Sequence, residues 1–402
     1  MTLSDAQALD RADPIARLRD RFSIPEGTIY LDGNSLGALP KSVPARIASV
    51  VSEQWGRDLI TSWNRHDWID LPRRVGERIA PLIGGEPGTV IVADSTSLNI
   101  FKLLAVAVAR APGRRVIQTE RGNFPTDVYV AGGLASLTGH DVRVDDLSTI
   151  KDDVAVVLVT EVNYRTGARH DMCELTERAH SAGATIIWDL CHSAGAFPVD
   201  LVGAGADYAI GCGYKYLNGG PGAPAFAYVA PRHLAGLRTP LSGWLGHAAP
   251  FAFAPDYQPA DGIDALRVGT PPIISMSALD AALDAFDGVD LQAVRTKADA
   301  LFDLFTSEVE ARCLEFELLT PRDPARRGTQ VSLRHPEAYA IMQALIARGV
   351  IGDFRQPDIM RFGLTPLYLR FEDVYRAAET LADVMQTRAW DRPEFKHKAK
   401  VV

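Results

Sequence analysis

A lysine between two tyrosines, Lys215 in "GCGYKYLNGGPG", closes an apolar run and is followed at once by a glycine-rich turn. An amine so placed is either an ordinary solvated side chain or a nucleophile held in a tight pocket, where it can bond a carbonyl carbon. A second polar cluster bears on the choice. In "TIIWDLCHSAG" an acid, Asp189, ends another apolar run, His192 follows three residues later, and Lys215 lies 26 residues beyond Asp189. Taken singly, Asp189 caps a turn and His192 is a hydrogen-bonded loop histidine. Together with the lysine they suit an aromatic, electron-withdrawing cofactor: an acid to keep a ring nitrogen protonated and an amine to carry the ring.

Pyridoxal 5'-phosphate has both features and a phosphate besides, so a cradle for a dianion is required as well. Upstream, "ADSTSLNIFKLL" places Thr96 and Ser97 where a strand turns into a helix, and free amide hydrogens with the helix dipole favour an anion there. In isolation the same hydroxyls are helix caps. Between the clusters, "ERGNFPTDVYV" offers Phe124 to stack on a ring and Asp127 to reach its polar edge, or else is a proline-marked loop around a buried Phe. Thr160 stands at the tip of "VVLVTEV", placed to offer a hydroxyl to the ring's phenolic oxygen or to orient a neighbour.

These residues need elements to hold them. From "TVIVADS" to "PAFAYVA", short β-rich runs alternate with helical ones such as "LNIFKLLAVAVAR" and "ELTERAHSAGA", the rhythm of an α/β domain. Several strands are near-continuous apolar runs, which predicts a mostly parallel sheet covered by helices on both faces. Such sheets bind ligands at the carboxyl ends of their strands. Ahead of this block "KSVPARIASVVSEQW" reads as a helix, and behind it so do "ALDAALDAFDGV" and "VRTKADALFDLFTSEVEARC". Strand signals return at "GTQVSLRH" and "DIMRFGLTPLYL", on either side of the helix "PEAYAIMQALIARG". The expected division is a large domain over 65–275 and a smaller α+β domain made of 1–64 and 276–402.

Composition limits the partners. A chain of 402 residues, 47% hydrophobic and 23% charged, has ample material for a large core. A net charge of −8 without any Lys/Arg run speaks against nucleic acid. No apolar run reaches the roughly 18 residues of a membrane span, and the first residues lack the apolar centre of a secretion signal. The four cysteines, Cys173, Cys191, Cys212 and Cys313, have neither CxxC nor Cys/His metal spacing. No metal is expected from them; reduced thiols in the cytoplasm are.

In order along residues 30 to 368, "YLDGNSLGALP", "FPTD", "WDLCHSAG", "GCGYKYLNGGPGAPAF", "GWLGH", "GTPPI" and "RFGLTPLY" resemble the kynureninases, a pyridoxal phosphate family of the aspartate aminotransferase superfamily. The resemblance implies fold-type I, with a large cofactor domain and a smaller domain built from both chain ends. It also implies a hydrolase of the kynurenine pathway, in tryptophan catabolism and NAD biosynthesis. The implied reaction is cleavage of the β,γ carbon–carbon bond of L-kynurenine, or of its 3-hydroxy derivative, to anthranilate or 3-hydroxyanthranilate and L-alanine.

Carried over residue by residue, the resemblance makes Lys215 the lysine that bonds the cofactor and Asp189 the partner of the ring nitrogen, with His192 and Tyr214 as neighbours. Thr96 and Ser97 are implied to cradle the phosphate, Phe124 to stack on the ring near Asp127, and Thr160 to sit close by. Trp244 and Thr270 are implied to reach the phosphate from a second subunit, hence a homodimer with shared sites; some members carry asparagine where this chain has Thr270. Arg361 is the implied clamp on the substrate α-carboxylate. Tyr214, by its adjacency to Lys215, is the candidate proton relay at the γ-carbonyl. "TSWNRHDWIDLP" brings Trp63, His66 and Trp68 into one loop-like stretch, which either lines a pocket for the aryl ring or packs internally.

Three rivals use the same residues. A cysteine desulfurase or selenocysteine lyase shares the Asp, His and Lys arrangement but needs a nucleophilic cysteine on a mobile loop. An aminotransferase shares the electron sink. A non-enzymatic binding module has no use for the lysine.

Overall fold

A computed structural model of the chain describes residues 1–398. Two compact units emerge: one of residues 43–163 and 170–283, the other of 1–42, 164–169 and the chain from Asp284 onward. These dividing points depart from 64/65 and 275/276. The helix Ser42–Ser49 sets Val43 and Ile47 against Ala278, Ala281 and Ala282 of the helix Ile273–Ala282. Arg46, Arg74 and Arg78 converge on the buried Asp280 of the same helix. Packing and charge thus draw 43–64 and 276–283 into the larger unit.

The larger unit is built on a seven-stranded sheet. Its strands are β1 (Val90–Val92), β2 (Val116–Thr119), β3 (Asp141–Val144), β4 (Val154–Thr160), β5 (Thr185–Asp189), β6 (Tyr208–Cys212) and β7 (Ala225–Val229). The spatial order is β1-β7-β6-β5-β4-β2-β3, with β7 antiparallel to both neighbours and every other pairing parallel. All seven residues of β4 are buried, which explains why "VAVVLVT" does not alternate: helices cover both faces of a parallel sheet. Three of those helices are α1 (Thr96–Ala109), α2 (Pro125–Thr138) and α3 (Met172–Ser181). The stretch around Phe124 is therefore not a loop about a buried ring. Pro125 opens α2, where its missing N–H costs nothing, and Phe124 remains 39% exposed just ahead of it.

The smaller unit has a four-stranded antiparallel sheet of β8 (Glu317–Leu318), β9 (Gln330–Arg334), β10 (Asp353–Arg355) and β11 (Ile359–Gly363), ordered β10-β11-β9-β8. The helices α4 (Leu291–Arg312) and α6 (Phe371–Gln386) pack together, and α5 (Ala338–Ile346) packs on α6. Residues 164–169 join this unit by a bridge from Ala168 to Arg327. Among the described residues no helix is long and apolar enough to cross a membrane.

The amino edge of the large sheet is held by one carboxylate. Asp207, just ahead of β6, accepts from His180 Nε2 (2.8 Å) in the last turn of α3, the Ile186 amide (2.9 Å) of β5, and Arg232 and His233 Nε2 (2.7 Å each) beyond β7. Burial pushes its pKa up, but these four donors outweigh that and bring it from 3.8 down to about 2. A depressed carboxylate pKa stabilises the fold fully above the unfolded value and progressively less as pH falls toward the folded one. Asp207→Asn is expected to cost about 2 kcal/mol in urea unfolding at pH 7, the gap to wild type fading between about pH 4 and pH 2. A pH-independent gap would show that the carboxylate charge is not what holds this edge.

Candidate active site

The opposite, carboxyl edge gathers the reactive groups. Thr160 and Asp189 end the paired strands β4 and β5 side by side, and β6 runs out through Cys212 to Tyr214 and Lys215. The backbone after Lys215 folds back tightly. Asn218 sits at φ +59° and its amide bonds the Lys215 carbonyl (2.9 Å), while the Gly219 amide reaches Gly213 O (2.8 Å). Gly213 has no room for a side chain, since a Cβ there would lie 2.5 Å from Pro224 O. This turn presents a half-buried Lys215, whose Nζ stands 3.0 Å from His192 Nε2 and 5.9 and 5.8 Å from the ring centres of Phe124 and Tyr214.

Two carboxyls share the neighbourhood. Asp189 is buried, its Oδ1 accepting from the Cys191 amide (2.7 Å), and burial raises its pKa against the lowering contacts with Cys191 and Lys215. Asp127, in the first turn of α2, is 1% exposed. Burial first and the Asp189 charge second push it well up, with Lys215, Thr160 and Asn123 opposing. Asn123 was not expected here. Its Oδ1 accepts from Thr160 Oγ1 and from the Phe124 amide (2.8 Å), and its Nδ2 donates to Thr119 Oγ1 (2.9 Å). One buried amide thus fixes two of the expected residues, Thr160 and Phe124. The signal was an asparagine immediately before Phe-Pro at a helix start.

At the start of α1 the capping hydroxyl belongs to Ser95, which accepts from the Leu98 amide (3.4 Å). Thr96 lines a cavity of about 290 Å³ together with Asp94, Ser95, Cys212, Tyr214 and Gly222, and Ser97 is not in its wall. Burial raises the Tyr214 pKa far above neutrality, so its hydroxyl keeps its proton there.

The remaining expected residues divide. Trp63, Trp68 and Thr270 meet in a second, apolar cavity of about 540 Å³, with Trp55, Ile273 and Ile274, and the Trp63 and Trp68 rings lie edge to face at 5.8 Å. His66 is not in that wall; its Nε2 bonds Asp58 (2.8 Å). The supposed loop holds a helical turn, Ser62–Arg65, which separates the two fates. Trp244 lines neither cavity; it stacks on Phe253 and meets Phe251 edge to face in an exposed aromatic cluster.

Arg361 lies in the smaller unit on β11 and is 1% exposed. Its Nε and Nη2 grip both oxygens of Asp353, directly across on β10, while Nη2 also donates to Ser35 Oγ (3.1 Å) and Nη1 to the Tyr164 carbonyl (2.5 Å). Burial would raise the Asp353 pKa, but Arg361 outweighs it and holds the carboxyl below its usual range. Nearby Asp32 shows the reverse, pushed up to about 7 by burial and by the Asp353 charge. Ser35 belongs to "GNSLG"; Asp353 and Tyr164 had no sequence signal.

Pyridoxal phosphate fits these residues. Asp189 is a buried acid whose burial penalty a ring N–H⁺ would relieve. Asp127 Oδ2 is buried without a hydrogen-bond partner, an atom for a ligand to satisfy. The α1 amides and Thr96 open on a cavity whose wall also carries the Tyr214 ring.

The fold is similar to that of a cysteine desulfurase from Escherichia coli, with a TM-score of 0.76 at 18% identity over 92% of this chain and 98% of that one. It is also similar to a cystine C–S lyase in complex with cysteine persulfide, at 0.76 and 16% over 89% and 98%. At such identities the likeness is one of fold. Residues 294–381 match the kynureninase C-terminal domain. Over 413 aligned residues the chain is 52% identical to a kynureninase of Burkholderia pseudomallei and 50% identical to one of Pseudomonas fluorescens, covering 100% of this chain and 99% of each relative. Identity of this depth, unbroken from end to end, together with the match across 294–381, means that the chain belongs to the kynureninase family.

Proposed function

We propose that this enzyme hydrolyses the bond between Cβ and the γ-carbonyl carbon of L-kynurenine, releasing anthranilate and L-alanine, as part of tryptophan catabolism. The observation that carries the reading is Lys215 Nζ hydrogen-bonded to His192 beside the buried pair Asp127 and Asp189, in a chain of this family. Pyridoxal 5'-phosphate, when bound, supplies an electron sink for charge developing at Cα and Cβ. Lys215 holds the cofactor at rest and, once the substrate amine has replaced it, moves the Cα proton. His192 fixes the direction of that amine. Asp189 keeps the ring nitrogen protonated, with Phe124 against the ring and Asp127 and Thr160 at its polar edge. Thr96 and the α1 amides receive the phosphate, while Ser97 stands outside that cavity wall.

Water must add to the γ-carbonyl, and when the carbon–carbon bond breaks its electron pair stays on Cβ, which takes a proton. Tyr214 suits both proton movements, since burial keeps its hydroxyl protonated at neutral pH and so able to donate. Arg361 is assigned to the substrate α-carboxylate. Asp353 sets its planar fork, and Ser35 and the Tyr164 carbonyl are neutral acceptors that an anion can replace. The tryptophan-lined cavity suits the aryl ring, with Trp63 and Trp68 rather than His66 as its walls. The same stretch would set any preference for the 3-hydroxy substrate.

A homodimer with shared sites is supported by the exposed Trp244, Phe251 and Phe253 cluster, since contiguous exposed aromatics mark contact surfaces. Trp244 and Thr270 would then serve a partner's phosphate. Four free cysteines support a cytoplasmic location. A desulfurase needs a reactive loop thiol, but Cys173 lies in α3 and Cys212 in β6, Cys313 follows directly on α4, and the Cys191 thiol, in the turn after β5, has its pKa pushed well up by its contact with Cys212 and by burial.

Wild-type enzyme with cofactor and L-kynurenine is expected to release fluorescent anthranilate, and Lys215→Ala to release none while losing the absorption band of covalently held cofactor. Tyr214→Phe should keep that band and lose about tenfold or more in kcat; unchanged turnover would remove Tyr214 from the proton path. In the same assay Trp63→Ala should raise KM for kynurenine by about tenfold, whereas His66→Ala should stay within about twofold of wild type. The opposite ranking would move the aryl pocket to the Asp58 side of the helical turn.

A further inference from the structure

Lys102 is a charge in an unexpected place. It sits mid-way along the apolar helix α1, among Leu103, Leu104 and Ala105, and is 0% exposed. Its Nζ donates to Asp94 Oδ2 and to the Leu266 carbonyl, both at 2.8 Å. An ammonium taken so completely out of water costs several kcal/mol unless it is compensated, so a purely structural reason is hard to find where a leucine would pack. Asp94 is itself unusual. It stands at φ +51°, a left-handed conformation that is uncommon for residues other than glycine, immediately before the Ser95 cap of α1, and it lines the 290 Å³ cavity beside Thr96 and Tyr214. The turn is pinned on both sides, by the Ala225 amide on Asp94 O (3.0 Å) and by Asn99 Nδ2 on Ala93 O (2.9 Å).

A carboxylate in the wall of a cavity that receives a phosphate dianion is electrostatically opposed to its ligand. We propose that Lys102 is a positioning residue of the phosphate cradle: its ammonium cancels the Asp94 charge from behind the wall and holds the left-handed turn that aims the α1 amides at the phosphate. The same ammonium ties this turn to the carbonyl of Leu266, four residues before Thr270, so one buried cation sets the cradle and the approach of a second segment. The inference rests on reading the Thr96 end of α1 as the phosphate site.

The test compares the affinities of the apoenzyme for pyridoxal 5'-phosphate and for pyridoxal, which lacks the phosphate, by absorbance titration. Lys102→Met should weaken pyridoxal phosphate by about tenfold or more while leaving pyridoxal within about twofold, and Asp94→Asn/Lys102→Met should recover most of the loss because a neutral amide no longer opposes the dianion. Equal weakening of both ligands, no weakening, or no recovery in the double variant would overturn the inference. Thr96→Ala separates the two levels: if it leaves the preference for the phosphorylated ligand intact, the cradle reading itself is wrong. Asp94→Asn alone covers the case in which Lys102→Met does not fold. Asparagine tolerates the left-handed turn, so this variant should bind pyridoxal phosphate at least as tightly as wild type, and a selective loss would refute the charge argument.

Discussion

Asp127 and Asp189 are both nearly fully buried at one edge of the sheet, and an isolated carboxylate in such a place takes up a proton rather than keep its charge. The half-buried amine of Lys215 is the cation within their electrostatic reach. The three groups cannot be tuned separately: moving the amine releases both acids upward, and protonating the acids strips the amine of its counter-charge. A ligand that placed a cation against Asp189 would offset part of the burial penalty on that acid.

That balance requires the groups to be held to within fractions of an ångström, and the sheet supplies the precision. Parallel strands end together, so Thr160 and Asp189 are neighbours by register, and the packed turn around Gly213 and Asn218 leaves Lys215 little choice of direction. Asp207 and its donors lock the other edge. Its low pKa and the raised pKa of Asp127 come from the same burial with different partners: four donors in one case, a neighbouring acid in the other.

Much of this was legible because hydrophobic runs and chemistry coincide in α/β proteins. "VAVVLVT" and "TIIWD" announce buried parallel strands, and ligands bind at the loops that leave the carboxyl ends of such strands. The parts that were not legible depend on contacts distant in sequence. Asp353 and Arg361 are eight residues apart, but only the antiparallel register of β10 and β11 makes them partners. The unit boundaries come from Val43 meeting Ala278 and from three arginines meeting Asp280, neither of which leaves a local mark. Proline at 125 signals a loop or a helix start equally well, and packing decides. His66 and Trp63 are three residues apart in one short stretch, but Asp58 captures the histidine.

The cysteine desulfurase and the cystine lyase have similar folds at less than a fifth of identical positions, so the sheet and its edge do not by themselves select a reaction. A lysine, an acid and an anion-binding helix start make the electron sink available to any amino acid that binds. Selection falls to the walls. Cys173 and Cys212 lie within α3 and β6, and Cys191, in the turn after β5, has its thiol pKa pushed well up by its contact with Cys212 and by burial, which disfavours the attacking thiolate. An apolar cavity with three tryptophans in its wall rewards a flat aryl group and gives nothing to a small sulfur substituent. This chain combines an edge shared by the fold with an apolar wall of three tryptophans.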